Sequence, residues 1–450
     1  MPDPIPMSDA SPCLPGLEDA QIPVVEVVGE EVQDPPRLRV PDRRQVLMGA
    51  VVLEDLLEPD HAARTLWEVT GRLDLSRFYD SIQARGRSPG RASTDPRLLV
   101  CLWLYAYSQG VGCGRELDEL CQSHDAYRWL CGGVSGNYHT LNEFRVGHKE
   151  ALEGLFVEVV SRLVEKGLVK VERISQDGTR VRASAGTNSL RGESRLKKLQ
   201  AEARAQLQAL EAQTDPSWSA RREAARKRAA RERVERIDQA LAQIPQLQAT
   251  KEAYGNRKKH AQQKAKEPRA STTDAPARVM KMAGGGYRPA YNVQVVGDTA
   301  SRAILAVEVS NVGSDRQQSQ GLREKVEEIT GKAVKEHLMD GGYVHLDSIE
   351  AAAPEVKTYA PPPQEQGVDP ALPKKGDKAG VVEWRARMAT EEAKAIYKER
   401  AALSETINAD LKVHRGLGAL PVRGIEKVTC VVLLSALAYN LMHFTAALFK

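Results

Sequence analysis

The sequence predicts an α/β core, a mixed sheet flanked by helices, with an all-α region before it and a helical hairpin inserted into it. Three observations carry that expectation. Short β-rich runs alternate with helical runs over the C-terminal half. Apolar residues recur at helical spacing before residue 168. A long charged stretch rich in Ala, Glu, Gln and Arg separates the first strand from the next. A chain of 450 residues, 42% of them hydrophobic, has material for two or three domains with real cores.

Residues 1–45 are rich in proline and acid (Pro35, Pro36, Glu30, Glu31) and lack a helical period, the composition of a disordered tail. Residues 46–168 read as helical. Asp95-Pro96 offers a cap and a proline for the first helical position. Leu98–Gln109 then shows an apolar face through Leu99, Leu102, Trp103 and Tyr107. Gly110, Gly112 and Gly114 break it, and Glu116–Cys121 resumes as a short helix. Helix, glycine turn and helix fit a helix-turn-helix and, equally well, a helical hairpin packing its own core. Thr140 and Glu143 form a capping box that opens one long helix through Val164.

From residue 169 the pattern changes. Val171–Gln176 is a strand ending at Asp177-Gly178. Thr187–Ala270 interrupts with two charged helices, Arg195–Leu210 and Arg221–Leu241, the second stopped by Pro245. Leu196, Leu199, Leu207 and Leu210 recur at helical spacing, as in an antiparallel hairpin or coiled-coil arm. Ala290–Val296 and Ala303–Val309 form a β-hairpin, and Gln317–Ile329 a helix. Ala333–Met339 is a strand ending at Asp340; a helix at Leu346–Ala353 and a strand at Val356–Tyr359 follow. A helix from Glu391 comes next. Asn440 and His443 interrupt the last apolar run, Val428–Phe449, which reads as a buried helix across the sheet and not a membrane span.

The formal charge of +4 hides an asymmetry. Ser194–Ala270 holds 19 Lys or Arg against 9 Asp or Glu, so the remainder is net acidic. Basic charge gathered in one insert suits a phosphate backbone better than a small acidic substrate. The opening residues MPDPIPMSDA lack the basic start and apolar run of a signal peptide. Six cysteines spread over the chain read as reduced thiols. Both readings place the protein in the cytoplasm. Cys113, Cys121, His124 and Cys131 lack the paired spacing of a zinc knuckle.

Chemistry concentrates in Tyr397–Lys412, YKERAALSETINADLK. At about 100° per residue, Tyr397, Arg400, Glu405 and Lys412 share an arc of about 140° on one helix. Leu403, Ile407 and Leu411 form the apolar stripe that would hold that face still. Upstream, Asp177 and Asp340 each end a strand, where open α/β sheets gather ligands. Acidic groups brought together there repel unless a cation neutralises them. Hard oxygen donors without a nearby His or Cys favour Mg²⁺ or Mn²⁺. Two such ions about 3.5–4 Å apart activate a water or 3′-hydroxyl and stabilise the leaving oxygen of a phosphodiester. Asp298 and Asp315 read instead as turn residues.

The order Tyr397, Arg400, Glu405, Lys412 resembles the Y-R-E-K signature of bacterial insertion-sequence transposases. The supporting stretches are DPRLLVCLWLYAYSQGVG (95–112), YRWLCGG (127–133), DGTRVRASAG (177–186), GGGYRPAYNVQ (284–294) and MDGGY (339–343). Each is weak alone; together and in this order they are specific. From about Val46 onward the chain is most similar to insertion-sequence family 1182, within the family 4 and 5 superfamily. The resemblance implies a ribonuclease H-like core whose D-D-E triad falls on Asp177, Asp340 and Glu405 and holds Mg²⁺ or Mn²⁺ as two ions. It implies that Arg400 and Lys412 contact phosphates of the transposon end, and that Tyr397 contacts it by stacking or hydrogen bonding. The implied protein is a DNA transposase of the nucleoid-associated cytoplasm, a homodimer on double-stranded DNA that engages terminal inverted repeats and target, with no membrane. In one departure, four residues, Ala401–Ser404, separate Arg400 from Glu405, where family 4 usually has three. That spacing is in keeping with family 1182 and bears on how Arg400 is aimed.

Two other readings stay open: a ribonuclease H-like nuclease without strand transfer, and a catalytically silent remnant that still binds DNA. Trp218 in the insert suits a base-flipping wedge or packing at the hairpin tip. A shared metal site makes a geometric demand. Nearest carboxyl oxygens should lie within about 8 Å pairwise, the two aspartate strands should be parallel neighbours, and Lys412 should face the same groove.

Overall fold

The computed structural model describes residues 52–82, 92–212, 220–255, 267–364, 366–367 and 369–448. The proline-rich stretch 1–45 and Trp218 lie outside the described residues. Between Leu53 and Glu165 every described element is helical: α1 (Ala62–Thr70), α2 (Pro96–Ser108), α3 (Gly114–Ser123), α4 (Asp125–Cys131), α5 (Tyr138–Gly147) and α6 (Lys149–Glu165), besides two single turns. The Asp95 carboxylate accepts from the Arg97 amide at 2.9 Å, and Pro96 takes the first helical position. Every residue of α2 from Leu98 to Tyr107 is buried, so it is a central core helix and not a one-faced surface helix. α3, beyond the glycine turn, buries only Gly114 and Leu117. Its exposed side mixes Arg115 with Glu116 and Glu119, a poor match for a phosphate backbone.

The long helix expected from Thr140 to Val164 is in fact two. Asn137 is the cap, its side chain accepting from the Thr140 amide at 3.0 Å. The break falls at His148, whose ring packs against Phe78 and Phe144 and so fixes the corner.

The sheet has six strands: β1 (Arg173–Arg182), β2 (Arg278–Lys281), β3 (Tyr287–Asp298), β4 (Ile304–Ser310), β5 (Glu336–Leu338) and β6 (Lys357–Tyr359). β1 lies between β3, its antiparallel neighbour, and β5, its parallel neighbour. β6 pairs parallel to β5, while β2 and β4 both pair antiparallel with β3. This mixed α/β arrangement is compatible with a ribonuclease H-like core. β1 does not end at Asp177-Gly178 as its sequence suggested. Its ladder with β3 continues through Asp177↔Val295 and Gly178↔Gln294 to Arg182↔Ala290. The parallel ladder to β5 is the one that stops early, at Ser175↔Leu338.

Helices α9 (Ser319–Thr330), α10 (Leu346–Ala352), α11 (Ala379–Ala389), α12 (Glu391–Ala409) and α13 (Ile425–Leu448) complete the core; α7 and α8 belong to the insert, below. α13 is long and apolar enough to span a membrane by composition, yet it is mostly buried here. It packs against α2, α6 and β4. Its buried Asn440 accepts from the Ile304 amide at 2.9 Å and donates to the Ile304 carbonyl at 2.8 Å, satisfying backbone of β4. The N-terminal helices and the sheet thus share one hydrophobic core through α13. Each large side chain fully buried there contributes about 1.5–3 kcal/mol.

The insert is a helical hairpin, α7 (Glu193–Ala212) and α8 (Ala220–Gly255). Contacts run antiparallel: Gln200 with Asp238, Arg204 with Asp238 and Glu211 with Arg231. A two-residue pairing of Leu190–Arg191 with Ala270–Ser271 forms its stem. Pro245 does not stop α8, which runs through it to Gly255. The cost of a mid-helix proline, about 3 kcal/mol, is opposed by packing around it. Ile237, Ala240 and Ile244 are buried against Leu196 and Ala203, with Leu247 beside them.

Candidate active site

Strand register sets the site. Side chains alternate across a strand, so Ser175 and Asp177 face α12 while Gln176, Gly178 and Arg180 face the other side of the sheet. Ser175 Oγ lies 3.2 Å from Ser404 Oγ, which docks α12 onto β1. One turn to either side, Arg400 Nη2 donates to Asp177 Oδ1 at 3.2 Å and Asn408 Nδ2 donates to Asp177 Oδ2 at 2.8 Å. The same Arg400 nitrogen is 3.8 Å from Asp340 Oδ2. The nearest oxygens of the two carboxylates are therefore no farther apart than these two legs laid end to end, inside the separation a shared site demands. Asp177 and Asp340 meet because each lies two positions past the last parallel pair, Ser175↔Leu338. Asp340 is held by the Gly342 amide, which donates to its Oδ1 at 2.7 Å as the chain turns through Gly341–Tyr343.

Burial pushes the Asp177 carboxyl above the usual aspartate range; Arg400 opposes that push and Asp340 adds to it. Lys412 lies in the π-helical turn Asp410–His414 that continues α12. Burial lowers its ammonium pKa, Asp177 pulls it back up, and Arg180 adds to the lowering. Tyr397 is half-buried, with the Arg400 guanidinium carbon 5.9 Å from its ring centre. Burial raises its phenol, Arg400 opposes, and both aspartates add to the rise. Tyr397, Arg400 and Lys412 thus all bear on the aspartate pair.

Glu405 does not join them. It is exposed, and none of its hydrogen bonds or ion pairs reaches the pair among the described residues. Nor do three His, Cys, Asp or Glu side chains among the described residues form a metal-binding group. Helical geometry gives the reason. The face of α12 that meets β1 is Arg400, Ser404 and Asn408, spaced by four, with Leu403 and Ile407 buried beside it. Glu405 lies about 100° around the helix from Ser404.

Residues missed in the sequence are polar and internal. Gln176 Nε2 donates to Gln294 Oε1 at 3.0 Å, and the Tyr343 hydroxyl donates to the same oxygen. Asp315 is no simple turn residue: it is buried and accepts from Asn292 Nδ2 at 2.7 Å, Gln294 Nε2 at 2.8 Å and Arg180 Nη2 at 2.7 Å. This network ties the strand bearing Asp177 to Tyr343, which anchors the turn bearing Asp340. Gly178 makes room for it, since a Cβ there would collide with the Gln294 amide and the Asp315 carboxylate. The available signal was alternation: Asn292 and Gln294 are amides two apart within the run Ala290–Val296, which carries no charge. Asn408 sat two turns from Arg400.

The donor set suits a hard divalent cation: two carboxylates, partly exposed, just past the end of the parallel ladder between β1 and β5. Two buried atoms at the site, Arg400 Nε and Asn408 Oδ1, have no hydrogen-bond partner among the described residues. Such orphans mark places where a ligand or its hydration shell completes the bonding.

Residues 378–445, which take in Tyr397, Arg400, Glu405 and Lys412, match a family model described as a transposase DDE domain. Residues 51–146 match one described as a transposase domain. No curated protein and no solved structure matches the chain. Asp177 and Asp340 fall outside both matched segments, so the geometry that gathers them with Arg400 is independent of the matches. Two transposase segments, flanking a sheet that presents paired aspartates to the helix of the DDE segment, support a DDE-type transposase family for this protein.

Proposed function

We propose that the chain is a DNA transposase of the insertion-sequence 1182 type, built on a ribonuclease H-like core. It binds the ends of its element, cleaves phosphodiester bonds and joins those ends to target DNA. The observation that carries this reading is the convergence of Asp177 and Asp340, from parallel neighbouring strands, on one nitrogen of Arg400. Asp177 and Asp340 would hold the divalent cation, Mg²⁺ or Mn²⁺, with Glu405 as the third carboxylate by resemblance. When bound, that cation activates the attacking oxygen and stabilises the leaving one. Asn408 keeps Asp177 aimed. Arg400 and Lys412 are cations set in a partly desolvated groove, where a phosphate offsets the cost of burying them. Tyr397 lines the same groove, where its ring can stack on a base or sugar.

The test is cleavage of duplexes carrying the element's ends, with Mg²⁺ and with chelator. Asp177→Asn and Asp340→Asn should each lose cleavage and keep end binding; full cleavage by either removes it from the site. The exposed position of Glu405 favours a second reading, a remnant that binds DNA without cutting it. Wild-type protein that binds ends yet yields neither nicked nor joined products with Mg²⁺ or Mn²⁺ would select that reading.

A further inference from the structure

A cleft of about 430 Å³ lies at the base of the helical hairpin, away from the aspartate pair. Five arginines line it: Arg191 from the stem, Arg195 from α7, Arg233 and Arg236 from α8, and Arg423 from the loop before α13. Thr272 and Thr273 add hydroxyls, and none of the residues lining it is acidic. Several of these arginines are aimed by neutral acceptors. Arg191 Nη1 donates to the carbonyls of Asn188 and Leu190, Arg233 Nη1 to Gln206 Oε1 at 2.8 Å, and Arg423 Nε to the Ser184 carbonyl at 3.3 Å. Glu202 reaches Arg195 at 4.0 Å, and Asp274, buried behind the cleft and engaged by Tyr291 and Gly424, faces Arg423.

Guanidiniums oriented by carbonyls keep their charge, and several of them around one opening repel one another. An anion offsets that repulsion, and the planar fork of arginine matches phosphate oxygens two at a time. The cleft also has a fixed relation to the proposed active site. β1 continues past Asp177 to Arg182, and Arg423 bonds Ser184 just beyond that end.

We propose that this cleft grips the phosphate backbone of duplex DNA, so that the inserted hairpin and the core hold one duplex together. This rests on the transposase reading for its substrate, but its test is separate. Binding of a fluorescent 30-base-pair duplex of random sequence is measured by anisotropy across a NaCl series. The protein is full length: wild type, Arg195→Gln/Arg236→Gln, and Arg195→Lys/Arg236→Lys. Each lost phosphate contact lowers the slope of log affinity against log salt by about 0.9. The glutamine pair should therefore flatten the slope by nearly 2 and weaken binding about tenfold or more at low salt, while the lysine pair stays close to wild type. An unchanged slope in the glutamine pair, with wild type binding normally, overturns the cleft and leaves the transposase reading intact. Absence of binding by wild type to any duplex overturns both. Equal weakening in the glutamine and lysine pairs, with a fall in melting temperature, assigns the arginines to holding the hairpin and overturns the proposal.

Discussion

Two regions of the molecule hold charge in opposite ways. Just past the parallel ladder, two aspartates close on one guanidinium, with an amide and an ammonium beside them, so that much of the charge is balanced within the protein. At the base of the hairpin, five arginines line an opening that no acid lines. The difference follows from backbone. Strands in fixed register can deliver two like charges to one point, and such a site is tolerable only with a counter-charge built in. A helical stem spreads its cations along an exposed surface, where water and salt screen them until a polyanion arrives. The first region is suited to chemistry and the second to grip, and each predicts a different response to mutation and salt.

Experiments that break this contrast are clearest at the aspartates. Asp177→Asn or Asp340→Asn should lower cleavage by about a thousandfold or more, since several kcal/mol of charge stabilisation in the transition state is lost. The salt slope of DNA binding should stay as in wild type. A variant with reduced cleavage and a flattened slope would erase the division of labour. Glu405→Gln sharpens the same point. If the exposed carboxylate joins the pair on DNA, cleavage falls by about a hundredfold or more. A change under about threefold would leave the aspartates as the whole acidic site.

The buried network behind the acidic region is tested by Asp315→Ala. It takes the acceptor from buried Gln294 Nε2 and leaves Arg180 and Asn292 only the Gly313 and Val312 carbonyls, a loss of about 2 kcal/mol in stability by chemical denaturation. A loss below about 1 kcal/mol would mean that the network does not tie the two aspartate strands together.

The smallest effect is a pH dependence. The folded-state pKa of Asp177 is raised by burial, so its favourable contribution to stability is complete below the unfolded aspartate value near 3.9 and is lost as pH rises through the raised folded value. Asp177→Asn should therefore melt slightly above wild type at pH 7, with the gap closing as pH falls below about 4. An advantage that grows in acid would contradict the sign. Such a gain on losing the carboxylate is the expected mark of a group kept for function at some expense in stability.

Much of this could be read from the chain because it rests on local rules. The Asp95-Pro96 start of α2, the β3–β4 hairpin, the antiparallel arm and the buried final helix follow from capping, periodicity and composition, which neighbouring residues settle among themselves. That Arg400 and Lys412 share a face was legible for a similar reason, since one continuous helix carries them both. Errors came where a distant partner decides. β1 extends past Asp177 because β3 continues to pair with it, and α8 passes Pro245 because Ile244 has a core to enter.

The sequence by itself determined which residues could act: two aspartates in β-rich stretches, a Tyr-Arg-Glu-Lys series at helical spacing, and an insert in which Lys and Arg outnumber Asp and Glu 19 to 9. Only the tertiary structure decided which of them meet. A helical wheel gives angles around an axis but not which angle faces the sheet. Here Ser404 against Ser175 sets that rotation, turning Arg400 and Asn408 inward and leaving Glu405 in solvent. The arginine cleft has the same origin. Its cations come from the stem, both helices of the arm and a loop more than 180 residues further on, so no local pattern could reveal it. The charges are written in the sequence, but the distances between them depend on packing across the whole chain.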